Sequence, residues 1–160
     1  MFKFHDSNFL TVPNFPDIKA GVVLKNGYGV AVANKTATAV GATAKEIFVV
    51  LNIIDKPEIK NTEDYQIEIG EYARTFNMMD LIGLEFDMSA NLITGTAPTS
   101  TNKYLIPNGD GTWKAVAVAS LVKDAPYFEV VEETKFGGRV IENKTGYLVV
   151  AKFNHATPTA

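Results

Sequence analysis

Apolar residues in this chain come in short runs divided by turn-forming dipeptides. No stretch of ten or more residues carries a convincing helical period. Val22 to Leu24 leads into Asn26-Gly27, and Tyr28 to Ala33 leads out. Asn and Gly both tolerate the positive φ of a type I′ turn, so this pattern predicts a hairpin. Asn34 to Ala44 is small, polar and β-branched, which reads as a loop or a weak edge strand. Glu46 to Ile54 (EIFVVLNII) is nearly all apolar and rich in Val and Ile, as in a strand buried on both faces. Tyr65, Ile67 and Ile69 alternate with Gln66 and Glu68, a half-buried strand that Gly70 then bends.

Further on, Asn77 to Asp80 suits one helical turn, and Ile82 to Phe86 alternates again. Ala90 to Asn102 reads as a loop of small residues. Tyr104 to Ile106 and Trp113 to Ala119 flank Asn108-Gly109, which predicts a second hairpin. The valines of Lys114 to Asp124 favour strand over helix. Tyr127 to Val131 is a strand and Lys135 to Gly138 a turn. Arg139 to Ile141 and Tyr147 to Phe153 form a last hairpin, before a polar tail over 154–160. The fold class is therefore all-β, a compact barrel or sandwich of short antiparallel strands over 18–153. VVLKNGYGVAVA with EIFVVLNI also echoes YLIPNGDGTWKAVAVA with PYFEVVEE. Chance likeness between hairpins and a duplication into units of about 18–88 and 102–153 both account for the echo.

Residues 1–17 break the pattern. Phe2, Phe4, Phe9 and Phe15 are interrupted by polar residues, Pro13 and Pro16, so no period survives. An exposed arm this apolar is unfavourable and must pack on its own domain or on a neighbour. The prolines suit an extended strap laid on another subunit, which makes these four phenylalanines the candidate assembly contact.

Composition narrows the function. The net charge is −3 and the 15 Lys and Arg are scattered singly, which argues against a nucleic-acid partner. There is no cysteine for a disulfide, thiolate zinc or Fe–S site. The N-terminus reads as no signal peptide, and no apolar run approaches the ~20 residues of a membrane span. Asn34-Lys35-Thr36 and Asn143-Lys144-Thr145 match the glycosylation pattern and read as loops.

Candidate chemistry is sparse. Asn108 to Gly111 lacks the following glutamate of a calcium loop and reads as a tight turn. Gly27-Tyr28-Gly29 and Gly109-Asp110-Gly111 open no helix, so neither is a dinucleotide fingerprint. Glu68 with Glu71, Asp80 with Glu85, and Glu132 with Glu133 are the carboxylate pairs a glycosidase would need. Their positions read as solvated surface. His5 and His155 lie in opposite tails, where a general base is poorly held. Tyr28, Tyr65, Tyr72, Tyr104, Tyr127, Tyr147 and Trp113 could make a sugar platform, but aromatics spread over strands also serve core and rim. No enzyme, cofactor or metal is expected. The structural turns are Asn26, Gly27, Asn108 and Gly109.

The order IKAGVVLKNGYGVAVAN, GEYARTFNMMDLIGLEFDMS, NKYLIPNGDGTWKAV, PYFEVVEETKFGG and GYLVVAKF resembles bacteriophage virion proteins, in particular capsid decoration (cement) proteins. The resemblance spans roughly 18–153 and is one of order, with no signature motif. It implies a compact β-rich unit, often trimeric, that sits on the capsid surface and grips it with a terminal arm. It also implies a major capsid protein or other virion subunit as partner and synthesis in the host cytoplasm. The chain is longer than the smallest cement proteins, which sets it apart from their fold. Alternative expectations are a tail or neck component, a glycan-binding β module and a β-fold hydrolase.

Overall fold

The computed structural model describes residues 1–5, 17–53, 64–136 and 144–155, without the side chains of Phe4 and Phe136. In chain order its strands are β1 (Phe2–Phe4), β2 (Lys19–Ala20), β3 (Gly29–Ala33), β4 (Thr36–Ala39), β5 (Phe48–Val50) and β6 (Thr75–Asn77). There follow β7 (Glu85–Ser89), β8 (Tyr104–Pro107), β9 (Trp113–Val116), β10 (Ala125–Phe136) and β11 (Lys144–Asn154). Helix among the described residues is confined to short 3-10 turns at Met78–Leu81, Ala90–Leu92 and Val118–Ser120. The fold is all-β, as the turn-punctuated apolar runs predict.

One sheet has the order β1-β7-β11-β10-β8-β9, with every neighbouring pair antiparallel. The other has the order β2-β4-β3-β5-β6, and its β2–β4 pair is parallel. The larger core cluster lies between the sheets. Phe86, Trp113, Phe128 and Val149 from the first meet Val40, Ile47, Val49 and Met78 from the second. A smaller cluster, with Leu24, Val30, Val50 and Ile67, fills the far side of the second sheet. Val49 and Val50 are therefore consecutive residues in different cores, because successive strand side chains point to opposite faces. Within the run EIFVVLNII, Ile47 to Leu51 fills both faces for this reason, whereas Glu46 and Ile53 are exposed, Ile54 lies outside the described residues, and β5 itself is three residues long.

Several expectations are corrected. Asn26-Gly27 forms a turn, with Tyr28 N donating to Lys25 O at 3.1 Å, but it joins no hairpin. Gly27 has φ +92° while Asn26 stays out of the positive region, a type II arrangement rather than I′. Leu24, before the turn, pairs with Ile67 by two main-chain bonds of 2.9 and 3.0 Å. The two-residue hairpin lies instead at Asn34-Lys35, with φ of 49° and 58°, joining β3 to β4. Two positive φ values give the type I′ turn whose twist suits paired strands. Residues 34–39, expected as a loop or weak edge strand, are thus a turn and an internal strand.

The C-terminal region is one long hairpin. β10 and β11 pair from Ala125↔Asn154 to Phe136↔Lys144, interrupted by a bulge between Val130 and Glu132. Lys135, expected in a turn, and Lys144-Thr145, expected in a loop, are strand residues. The valines of 114–124 hold strand only to Val116, before the 3-10 turn.

A further correction concerns the arm. Phe2 pairs with Met88, is 3% exposed, and stacks on Phe86 with ring centroids 4.9 Å apart. Residues 1–5 therefore lie on the parent sheet, not on a neighbour, because the slot beside Phe86 and Phe128 buries a ring completely. The division near residue 88 also fails to separate two units, since β7 belongs to the same sheet as β8 to β11. The echoed segments differ as well, since the second hairpin is a true β8–β9 pair and the first is not.

Candidate assembly surface

The sequence-selected residues fall into distinct places. Phe4 lies in β1 opposite Phe86, whereas Phe9 and Phe15 fall outside the described residues. Asn108 and Gly109 open the β8–β9 turn, where Gly109 has φ +94° and Asn108 N donates to Thr112 O at 2.9 Å. Thr112 N donates in turn to Asp110 Oδ1 at 2.9 Å. The Thr112 hydroxyl donates to the same oxygen, and this bond, with that from the N–H, holds the Asp110 carboxyl below its usual range.

The two glycine-rich turns meet at Trp113. Its indole N–H donates to Gly27 O at 2.7 Å, and Gly29 N donates to Gly111 O at 2.8 Å. Tyr28 lies so close over Gly111 that an added Cβ would come 2.3 Å from its ring. These turns are structural rivets. Asn26 is fixed by Asn52, whose N donates to Asn26 Oδ1 at 2.7 Å while Asn26 Nδ2 donates to Asn52 O at 2.9 Å. Asn52 also donates to Tyr72 O at 3.1 Å and accepts from Arg74 N at 2.5 Å. Sequence reading passed over Asn52. A lone polar residue closing the apolar run EIFVVL is its faint signal.

The outer edge of β10 is the exposed feature best suited to a partner. β8 covers β10 at Phe128 and Glu129, and Val130 N donates to Lys103 O at 2.8 Å. From Val131 to Phe136 no strand among the described residues lies against that edge. Val131, pushed out by the bulge, is 54% exposed. Glu132, Glu133 and Lys135 also line this stretch, and Lys135 donates to Glu133 at 2.9 Å and to Thr145 Oγ1 at 3.2 Å. Charged side chains blunt indiscriminate pairing, yet among the described residues no strand takes up the main-chain groups of this stretch.

Beside this edge, Glu129 is held between Lys103 and Lys152. Burial pushes its carboxyl up, but the two ammonium groups outweigh that and hold it below the usual carboxylate range. Tyr104 and Tyr127 flank it with ring centroids 5.7 Å apart and planes 70° apart. That edge-to-face pair is not the coplanar platform expected of a glycan binder. Tyr28 and Tyr65 both line a hollow of about 100 Å³, together with Lys25, Asn26 and Asn91.

The candidate catalytic groups do not converge. Glu68, Glu71, Asp80, Glu85, Glu132 and Glu133 are exposed, and Glu71 folds back to accept from Glu68 N at 2.8 Å. His5 Nδ1 lies 3.0 Å from Asp87 Oδ1, while the His155 ring rests 4.6 Å from that of Phe153. Among the described residues no three His, Asp or Glu side chains are grouped to hold a metal ion. No described helix is long and apolar enough to cross a membrane.

No family model, curated protein or solved structure matches the chain.

Proposed function

We propose that this protein is a non-enzymatic structural component of a phage particle, one that binds and stabilises the capsid shell as a decoration protein. The observation that carries the reading is the open edge of β10 from Val131 to Phe136 on a ribbon anchored at its other end in a full sheet. A strand of the major capsid protein or a neighbouring subunit adds to that edge, with Val131 supplying apolar contact and main-chain bonds supplying register. Each bound copy favours the assembled shell by mass action, and many weak contacts act together. The order of features that resembles cement proteins supplies the identity of the partner.

The test mixes the protein with empty phage shells that lack it and measures co-sedimentation. Replacing residues 134–145 by an Asn-Gly turn should leave the domain folded and abolish attachment. Undiminished attachment of that variant would remove the ribbon from the proposal, and failure of the intact protein to bind any shell would remove the capsid. A second reading, a glycan-binding module, draws on the hollow between Tyr28 and Tyr65. Chemical-shift changes at those tyrosines on adding a monosaccharide panel would favour it.

A further inference from the structure

The two Asn-Gly dipeptides stand in opposite environments, and from this contrast we infer that Asn108 is a site of spontaneous covalent modification while Asn26 is protected. An asparagine followed by glycine can lose its amide by attack of the next residue's backbone nitrogen on the side-chain Cγ. The new N–Cγ bond forms as the Cγ–Nδ2 bond breaks, and ammonia leaves with the proton from the backbone nitrogen. Water then opens the resulting five-membered imide on either side, giving aspartate or isoaspartate. The step consumes only water and needs no oxidant or partner. It does need a free backbone N–H and a side chain able to swing over it.

Asn108-Gly109 meets both needs. Gly109 is exposed, nothing lies within 4 Å of where its Cβ would be, and its N–H donates to no group among the described residues. The Asn108 side chain is held by one long contact, Nδ2 to Asp110 Oδ2 at 3.4 Å. Asn26-Gly27 meets neither. Gly27 N donates to Val50 O at 2.7 Å, and Gly27 is buried where an added Cβ would come 2.6 Å from Leu92 and 2.7 Å from Phe2. Both ends of the Asn26 amide are occupied by the Asn52 backbone. Breaking those bonds before reaction slows Asn26 by at least about tenfold, since each is worth about 1 kcal/mol and 1.4 kcal/mol is a factor of ten. The neighbouring Asp110-Gly111 does not compete. Asp110 is held as a carboxylate, a poor electrophile, and its Oδ1 accepts from both the N–H and the hydroxyl of Thr112.

The modification adds a negative charge beside Asp110 at the tip of the β8–β9 turn. The test incubates the full chain at mildly alkaline pH and follows peptide masses over time, natively and in urea. Isomerisation at Asp110 leaves mass unchanged, so a deamidation mass gain reports asparagine alone. The expected result is a gain on the Asn108 peptide at least about tenfold faster than on the Asn26 peptide in the native chain. In urea the two rates should converge, and Asn108→Asp should abolish the gain at its peptide. Equal native rates, a faster Asn26, or a native Asn108 rate far below its rate in urea would each overturn the inference.

Discussion

Trp113 donates its indole hydrogen to the carbonyl of Gly27, a residue 86 positions earlier, and both residues are buried. This bond fastens the turn before β3 to the first residue of β9. Trp113→Phe keeps most of the ring but leaves the Gly27 carbonyl buried without a donor. The expected loss is about 2–4 kcal/mol, from the unsatisfied group and the smaller ring. Urea unfolding should show a lower midpoint at unchanged slope. The lone tryptophan of the chain should also emit at short wavelength natively and shift to longer wavelength when unfolded.

The two turn glycines should respond unequally to substitution. Both have positive φ, which costs an L side chain about 1–2 kcal/mol. At Gly109 that is the whole cost, because an added Cβ meets nothing within 4 Å. At Gly27 the Cβ also collides with Leu92 and Phe2, adding about 1–3 kcal/mol of overpacking. Gly27→Ala should therefore lower the melting temperature at least twice as far as Gly109→Ala. Equal shifts would mean that the core beside Gly27 yields.

Phe2→Ala tests whether the N-terminal strand belongs to the fold. The ring is 3% exposed among Phe86, Phe128 and Leu92, so its removal should cost about 3–5 kcal/mol. Lys3→Ala, one residue on and 55% exposed, breaks a contact with Asp87 and should cost less than about 1 kcal/mol. Equilibrium unfolding of both variants checks the ratio.

His5 gives the same strand a pH dependence. Its hydrogen bond to Asp87, then the Asp87 charge, raise its pKa above 6.5, while Lys3 opposes and Glu85 assists. A group raised on folding lends its full stability below the unfolded value of 6.5 and loses it as pH climbs through the folded value. Hydrogen exchange of the β1 amides, corrected for intrinsic rate, should therefore show most protection below pH 6.5 and a decline above the raised value. His5→Gln should flatten that decline while leaving β1 paired, since Lys3 still holds Asp87.

What the sequence disclosed was local. The alternation of Tyr65 and Ile67 marks two buried residues, and Asn77 caps its 3-10 turn by accepting from Met79 N at 3.0 Å. The glycines of both Asn-Gly pairs take the positive φ that their chemistry favours. What stayed hidden depends on distant partners. Asn26-Gly27 carries the same dipeptide signal whether or not its flanks pair, and Ile67 captures Leu24 from 43 residues away. Ile69 continues the alternation that buries Ile67 but is 68% exposed, because Gly70 turns the chain there with φ +86°. Phe2 lacks any periodic context, so nothing near it in sequence announces the slot beside Phe86. The candidate surface was less legible still. The open edge of β10 exists because β8 stops pairing at Glu129, a fact of strand length that no residue type encodes.

Val49 and Val50 face different cores from adjacent positions, and Tyr28 packs against both. One three-residue strand is thus the party wall of two rooms. Loosening either cluster moves a backbone that the other cluster also grips, through Gly27 N to Val50 O and Val50 N to Tyr28 O. The two sheets cannot melt in turn as separate modules would. A single sharp transition, with calorimetric and van't Hoff enthalpies in agreement, is the thermal behaviour this shared wall imposes.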